Sequence, residues 1–257
     1  KNPTADIGYE ENVFYEGNIA RSQINLVWSP NQRIGVAASL NYFFGAIEDR
    51  YYMLFNDNPQ ISDDYYKIEY RFRGPGLGAS FDFKLIDPWV IGAFIDFKPR
   101  INYSRIYVSP ITLEEQTDQT KTSFPVFAGL GSSYQFTTSW TVSADAVYQD
   151  WSKGLQLEKE VQNLQEYSQI GIGLEHSHSR EKTRKLLKKF DSRIGFSYSQ
   201  TGYIFQSQPI NEYMLHIGFG FPFFKGQARM DLAFIAGIRG NKADTIVEEK
   251  YLKTIIS

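Results

Sequence analysis

Charged side chains recur at alternate positions of strand-like runs, and they are the residues with chemistry to offer. Arg33, Asp82, Lys84, Asp96, Lys98, Asp145, Glu175, Arg193, Arg229, Asp231 and Arg239 each fall in the polar row of such a run. Brought together, charges of both signs form a paired network. A basic member that meets a ligand instead offers charge-assisted hydrogen bonds, which a carboxylate needs in a partly dry pocket. Arg193, Arg229 and Lys98 are the candidate ligand-binding residues for that task. His176 and His178 share a face if their segment is a strand, but no second cluster of carboxylate and imidazole joins them or His216, so no metal is expected. No nucleophile elbow appears among the Ser, His and Asp residues. The sequence therefore predicts no catalytic residues, no enzyme activity and no cofactor.

The elements that position these charges show a period of two. Ile34, Val36, Ala38, Leu40 and Tyr42 alternate with Arg33, Gly35, Ala37, Ser39 and Asn41. Leu77, Ala79, Phe81, Phe83 and Leu85 alternate with Gly78, Ser80, Asp82 and Lys84. The split recurs at 91–98, 140–149, 212–221 and 229–239. A soluble sandwich also alternates, with its apolar row turned inward. Three features favour a membrane. The apolar rows continue without a polar break over nearly the ~9–11 residues of a spanning strand. Trp140, Tyr148, Tyr42, Tyr213 and Phe221 cluster toward row ends, as in interfacial girdles. The opposite rows carry full charges in mid-strand, where a water-filled or hydrogen-bonded lumen could solvate them.

Connections support this. Pro30-Asn31-Gln32, Asp87-Pro88, Thr137-Thr138 and Phe224-Lys225-Gly226 read as tight turns. Polar connections at about 51–66, 109–122, 153–164 and 241–248 are longer, with a shorter one near Ser207. Such alternation belongs to outer-membrane barrels. The segment from His178 to Lys189 breaks it as a basic, helix-competent insert, read either as a solvated helix or unstructured turn or as a contact for a periplasmic partner or anionic headgroups. Tyr51, Tyr52, Phe55, Tyr65 and Tyr66 read as an upper interfacial belt or an apolar landing surface.

About eleven strands are expected, over 21–30, 33–48, 67–85, 89–107, 123–136, 139–152, 165–177, 192–203, 212–222, 226–240 and 248–257. Residues 1–19 read as a loop or part of an earlier strand. The fold class is all-β, an antiparallel transmembrane β-barrel in a single domain over 1–257. An odd strand number, with bacterial barrels even, implies that this is the C-terminal portion of a longer protein.

Composition narrows the classes further. The chain has 257 residues, and its net charge of −2 gives no electrostatic footprint for nucleic acid. Cysteine is absent, which excludes disulfides and thiolate chemistry. Aromatics make up 16% of the residues. The mean hydropathy of −0.37 is too low for a helical membrane protein, and no apolar run approaches the ~18 residues of a spanning helix.

The run from Ser139 to Lys153, with Asp145 and the Asp150-Trp151-Ser152-Lys153 element, resembles a strand of the FadL-type outer-membrane transporters. Gly74-Pro75-Gly76-Leu77-Gly78-Ala79-Ser80-Phe81, Arg193-Ile194-Gly195-Phe196-Ser197-Tyr198-Ser199 and His216-Ile217-Gly218-Phe219-Gly220-Phe221 are similar to other strands of that family. The resemblance runs from about Gln23 to Ser257. It implies a barrel of about fourteen strands whose N-terminal plug and first strands lie outside this chain. It also implies passive uptake of hydrophobic molecules such as long-chain fatty acids across the outer membrane of a Gram-negative bacterium. The partners expected are membrane lipid and a hydrophobic ligand, without nucleic acid. Two alternatives stay open: a general porin, and a non-transporting barrel that anchors a larger outer-membrane secretion or assembly complex through a protein partner.

Overall fold

In the computed structural model the described residues are 10–54, 64–108, 116–153, 164–177, 190–205, 207–223, 228–242 and 248–257. They form thirteen strands: β1 (Glu10–Asn31), β2 (Ile34–Leu54), β3 (Asp64–Ile86), β4 (Trp89–Asp96), β5 (Ile101–Val108), β6 (Gln116–Thr122), β7 (Phe127–Gln135), β8 (Trp140–Asp150), β9 (Leu164–His176), β10 (Asp191–Phe205), β11 (Gln208–Phe223), β12 (Ala228–Arg239) and β13 (Glu249–Ile256). The sheet order is β1-β2-β3-β4-β7-β8-β9-β10-β11-β12-β13, with β5 paired to β3 and β6 to β5. Every register from β3 to β13 is antiparallel. Among the described residues no helix is long and apolar enough to cross a membrane. The basic insert with His178, the turn at 224–226, Phe55 and most of the longer connections lie outside the described residues.

The expected strand over 89–107 is two strands. Pro99 has no N–H to give to a ladder, and the facing strand carries Gly74-Pro75-Gly76. The regular ladder therefore breaks between β4 and β5, although the amides of Phe97 and Arg100 still donate to the carbonyls of Leu77 at 2.8 Å and Pro75 at 3.3 Å. Pro125 interrupts the chain in the same way between β6 and β7. The expected loop over 109–122 contains β6, whose backbone pairs with β5 from Ile101↔Thr122 to Tyr107↔Gln116. Its sequence is polar throughout, so alternation gives no signal there. β1 begins at Glu10, where a loop or partial strand is expected. Tyr51, Tyr52, Tyr65 and Tyr66 lie on β2 and β3 rather than in a loop.

The tight turns have local causes. Asn31 Oδ1 accepts from the amides of Arg33 at 2.8 Å and Ile34 at 3.0 Å, which folds β1 back into β2. Thr137 Oγ1 does the same for Trp140 at 3.0 Å. At the end of β8, Asp150 Oδ1 accepts from the Ser152 amide at 3.2 Å and holds the short 3-10 turn Trp151–Lys153.

Two compact units divide the chain. The first comprises Lys1–Ile24, Leu40–Gly76 and Pro99–Phe124. It contains the buried apolar side chains found among the described residues: Phe72, Ile101, Tyr103, Ile106 and Phe124. Phe72 stacks on Tyr103 at 6.0 Å, and Phe43 meets Phe124 edge-on at 5.3 Å. The opposite face of β2 and β3 carries Glu48, Arg50, Lys67, Glu69 and Arg71 as an ion-paired ladder, with Lys67 Nζ 2.8 Å from Glu48.

The second unit comprises Asn25–Ser39, Leu77–Lys98 and Pro125–Ser257. Its burial runs the other way. Leu130 is 66% exposed and Ile172 57%, whereas Asp191 is 1% and Ser199 2% exposed. Water-facing burial of this sign would cost most of the apolar free energy of folding, about 25 cal/mol per Å² left outside. A hydrocarbon surround removes that cost. The large side chains Leu77, Phe81, Leu130, Ile172, Phe196 and Leu215 of the apolar rows stand exposed, and the predicted polar rows lie on the opposite face.

Candidate functional site

The polar face of the second unit is built by register. Across β9, β10, β11 and β12 one row runs Glu175↔Arg193↔Gly218↔Ala233, and the neighbouring row runs Asp191↔Gly220↔Asp231. Glycine on β11 leaves the space over that strand open, so side chains on β10 and β12 meet across it. Arg193 Nη1 donates to Asp231 Oδ1 at 2.9 Å, and its Nε donates to Glu175 Oε2 at 3.0 Å. Arg229 Nε donates to Asp231 at 3.0 Å, and its Nη1 lies 3.0 Å from Asp191 Oδ2. Ser177 Oγ donates to Asp191 at 2.9 Å. A side chain at Gly220 would enter this space, since its Cβ would lie 2.3 Å from Arg229 Nη2.

The structure therefore brings two of the three candidate residues together: Arg193 and Arg229 share Asp231. Each also holds a second carboxylate. Lys98 stands apart. It follows β4, is exposed, and makes no ion pair among the described residues.

Sequence reasoning missed a second cluster toward the other end of the same strands. Ser199, Glu212, Arg239 and Glu249 occupy one cross-strand row over β10 to β13. The buried Glu212 carboxylate accepts from Arg239 Nε at 2.9 Å and from Tyr251 Oη at 2.9 Å. Arg239 lies 5.6 Å above the Tyr251 ring. Midway between the clusters, Ser197 Oγ and His216 Nε2 are 2.8 Å apart. Only the register reveals these partners, because they are 13 to 39 residues apart in the chain.

Glycine recurs wherever a large polar-face residue needs room. Gly35 lies against Asp82, Gly78 against Asp96, Gly171 against Asp145 and Gly129 against Phe94. The cavity near Asp82, Ser133, Ser143 and Asp145, about 540 Å³, opens over the glycines of β4 and β7. His176 stacks on Trp140 at 4.3 Å, so it belongs to the aromatic row rather than to His216. Among the described residues no group of His, Asp and Glu is arranged to hold a metal.

Apolar rows turned outward and hydrogen-bonded charges turned inward define the antiparallel transmembrane β-barrel class. The BamG family model matches residues 2–257, and the chain belongs to the BamG family. The solved structures it resembles include a Pseudomonas aeruginosa FadL homologue, at 13% identity and a TM-score of 0.63, over 88% of this chain and 60% of that one. The Ralstonia pickettii toluene transporter TbuX is similar at 17% identity and a TM-score of 0.62, over 95% and 68%. A mutant of the monoaromatic hydrocarbon channel TodX is similar at 14% identity and 0.59, over 93% and 69%. These likenesses are of fold. The chain spans 60% of the length of the FadL homologue. No curated protein matches in sequence. The resemblance to FadL-type transporters thus holds for the barrel architecture, while the family matched is BamG.

Proposed function

We propose that this chain forms, as one barrel domain, the wall of a Gram-negative outer-membrane channel for passive uptake of hydrophobic molecules such as long-chain fatty acids. The observation that carries the reading is the inverted burial of the second unit, with Leu130 and Ile172 outside and Asp191 and Ser199 inside. The similar folds of the toluene transporter TbuX and the monoaromatic hydrocarbon channel TodX support it. No covalent step is involved. An amphiphile's carboxylate would pair with Lys98, or displace a protein carboxylate from Arg193 or Arg229. Displacement loses one charge-assisted bond for each one made, so Lys98 is the stronger first contact.

One observation favours a second reading. The Glu175–Arg193–Asp231–Arg229–Asp191 chain uses the arginines internally, as suits a rigid barrel that anchors partner proteins in an outer-membrane complex. Mass spectrometry of lipid released from the detergent-extracted intact protein separates the two. Stoichiometric fatty acid supports uptake. Absence of bound fatty acid together with a stoichiometric protein partner supports the anchor. Steady ion conductance in a planar bilayer would instead indicate a porin.

A further inference from the structure

The first unit carries a basic cavity on its exposed face, remote in sequence from the polar clusters above. It is open, about 930 Å³ in volume, and lined by Arg71, Arg73, Asn102, Ser104 and Lys121 over the backbones of Phe72 and Tyr103. Register makes it a built arrangement. Arg73 pairs with Asn102 and Asn102 with Lys121, so two cations flank an amide in one straight row across β3, β5 and β6. Two strand spacings separate them, roughly 10 Å. In the next row Arg71 pairs with Ser104. Arg71 is held by Glu69. Arg73 and Lys121 are exposed and make no ion pair among the described residues.

The surroundings indicate what would bind. On β2 the exposed row passes from Leu40, Tyr42 and Phe44 to Glu48 and Arg50. Tyr51 on Tyr66, Tyr52 on Tyr65 and Asn41 against Gly76 fix the register of β2 on β3, which sets Arg73 opposite Phe44 and Arg71 opposite Ala46, with the Lys67–Glu48 bridge running diagonally. The cations therefore stand where exposed apolar side chains give way to charge. A membrane interface has that profile: tails below, anionic headgroups above. A phosphate placed between Arg73 and Lys121 would meet two positive charges, the Asn102 amide and the Ser104 hydroxyl. Its acyl chains would lie along Tyr42, Phe44 and Leu40.

We propose that this cavity binds the phosphate of an anionic membrane lipid headgroup at the boundary of the bilayer. The proposal rests on the membrane-spanning fold and is independent of whether the barrel transports anything. The test is native mass spectrometry of the intact protein in detergent, titrated with phosphatidylglycerol, with phosphatidylcholine of the same chains, and with inorganic phosphate. The expected result is retention of phosphatidylglycerol over phosphatidylcholine, lost by roughly tenfold or more in Arg73→Gln/Lys121→Gln. Retention should return in Arg73→Lys/Lys121→Arg, and inorganic phosphate should not compete at equal concentration. A correctly folded glutamine double variant that still retains phosphatidylglycerol would overturn the site. Equal binding of inorganic phosphate alone would overturn the lipid assignment. Fatty-acid content, measured in parallel, should be unchanged, which separates this result from the uptake reading.

Discussion

Tyr251 reaches over Gly237 to place its hydroxyl 2.9 Å from Glu212 Oε1, two strands away. A Cβ at Gly237 would lie 2.2 Å from Tyr251 Cζ, so the hydrogen bond exists because β12 has no side chain there. The glycine thereby ties β13 to β11. Tyr251→Phe removes one hydrogen bond to a carboxylate that keeps Arg239, and should cost about 1.5–3 kcal/mol, the range for a hydrogen bond to a charged group. Gly237→Ala should push the ring aside and lower stability through the same contact. Denaturant unfolding of both single variants and the double variant checks this. The double should cost less than the sum of the singles.

Arg239 is the only cation bonded to the buried Glu212 among the described residues. Arg239→Ala leaves that carboxylate with hydroxyl donors alone and should destabilise by about 3–5 kcal/mol. The Glu212→Gln change in the same background should recover part of the loss, because it removes the stranded charge.

Arg193 and Lys98 should separate stability from ligand retention. Arg193→Ala breaks bonds to Glu175 and Asp231 and should lower the unfolding midpoint. Lys98→Ala removes no protein ion pair among the described residues and should leave the midpoint unchanged. If a fatty-acid carboxylate docks on the polar face, Lys98→Ala should reduce co-purified fatty acid severalfold.

The charged ladder of β2 and β3 predicts a pH dependence. It lies beyond the exposed apolar rows of those strands. Hydrogen bonding from Lys67 first, then from Arg50, holds the Glu48 carboxyl below its ordinary value of 4.5. Glu69 is lowered likewise, chiefly by Arg71. Folded-state values below the unfolded ones mean stabilisation that is complete above the unfolded value and lost as pH falls through the folded one. The unfolding midpoint should therefore fall as the solution is acidified below about pH 4.5. Lys67→Met should flatten this acid limb.

Much of the fold was legible because a membrane strand writes its two environments into alternate residues. Ile34 to Tyr42 and Leu77 to Leu85 show this plainly. The break at Pro99 was written too, but strong alternation on either side masks it. β6 leaves no such trace, since its strand is held by backbone pairing to β5. The candidate site was half legible. Arg193 and Arg229 stand out as charges in polar rows, whereas their saturation by Glu175, Asp231 and Asp191 depends on which glycines of β11 lie between them. Tyr251 and Glu212 become partners only once Gly237 is placed under the ring.

The outward rows can be tested by charge. Ile172→Arg should cost roughly 2–4 kcal/mol of folding free energy in a bilayer if it lies near the midplane. Ser143→Arg, on the opposite face, should cost much less. Folding yields into lipid vesicles across a urea series read both.

Because the chain has no cysteine, single cysteines can be introduced and spin-labelled without background. Labels at Leu130, Ile170, Ile172 and Ile194, compared with labels at Ser143, Asp145 and Gln169, report which face meets acyl chains. The protein reconstituted in bilayers should show high oxygen and low nickel-chelate accessibility at the first set, and the reverse at the second. The same accessibility pattern on both faces, or nickel access at the isoleucines, would contradict the membrane assignment.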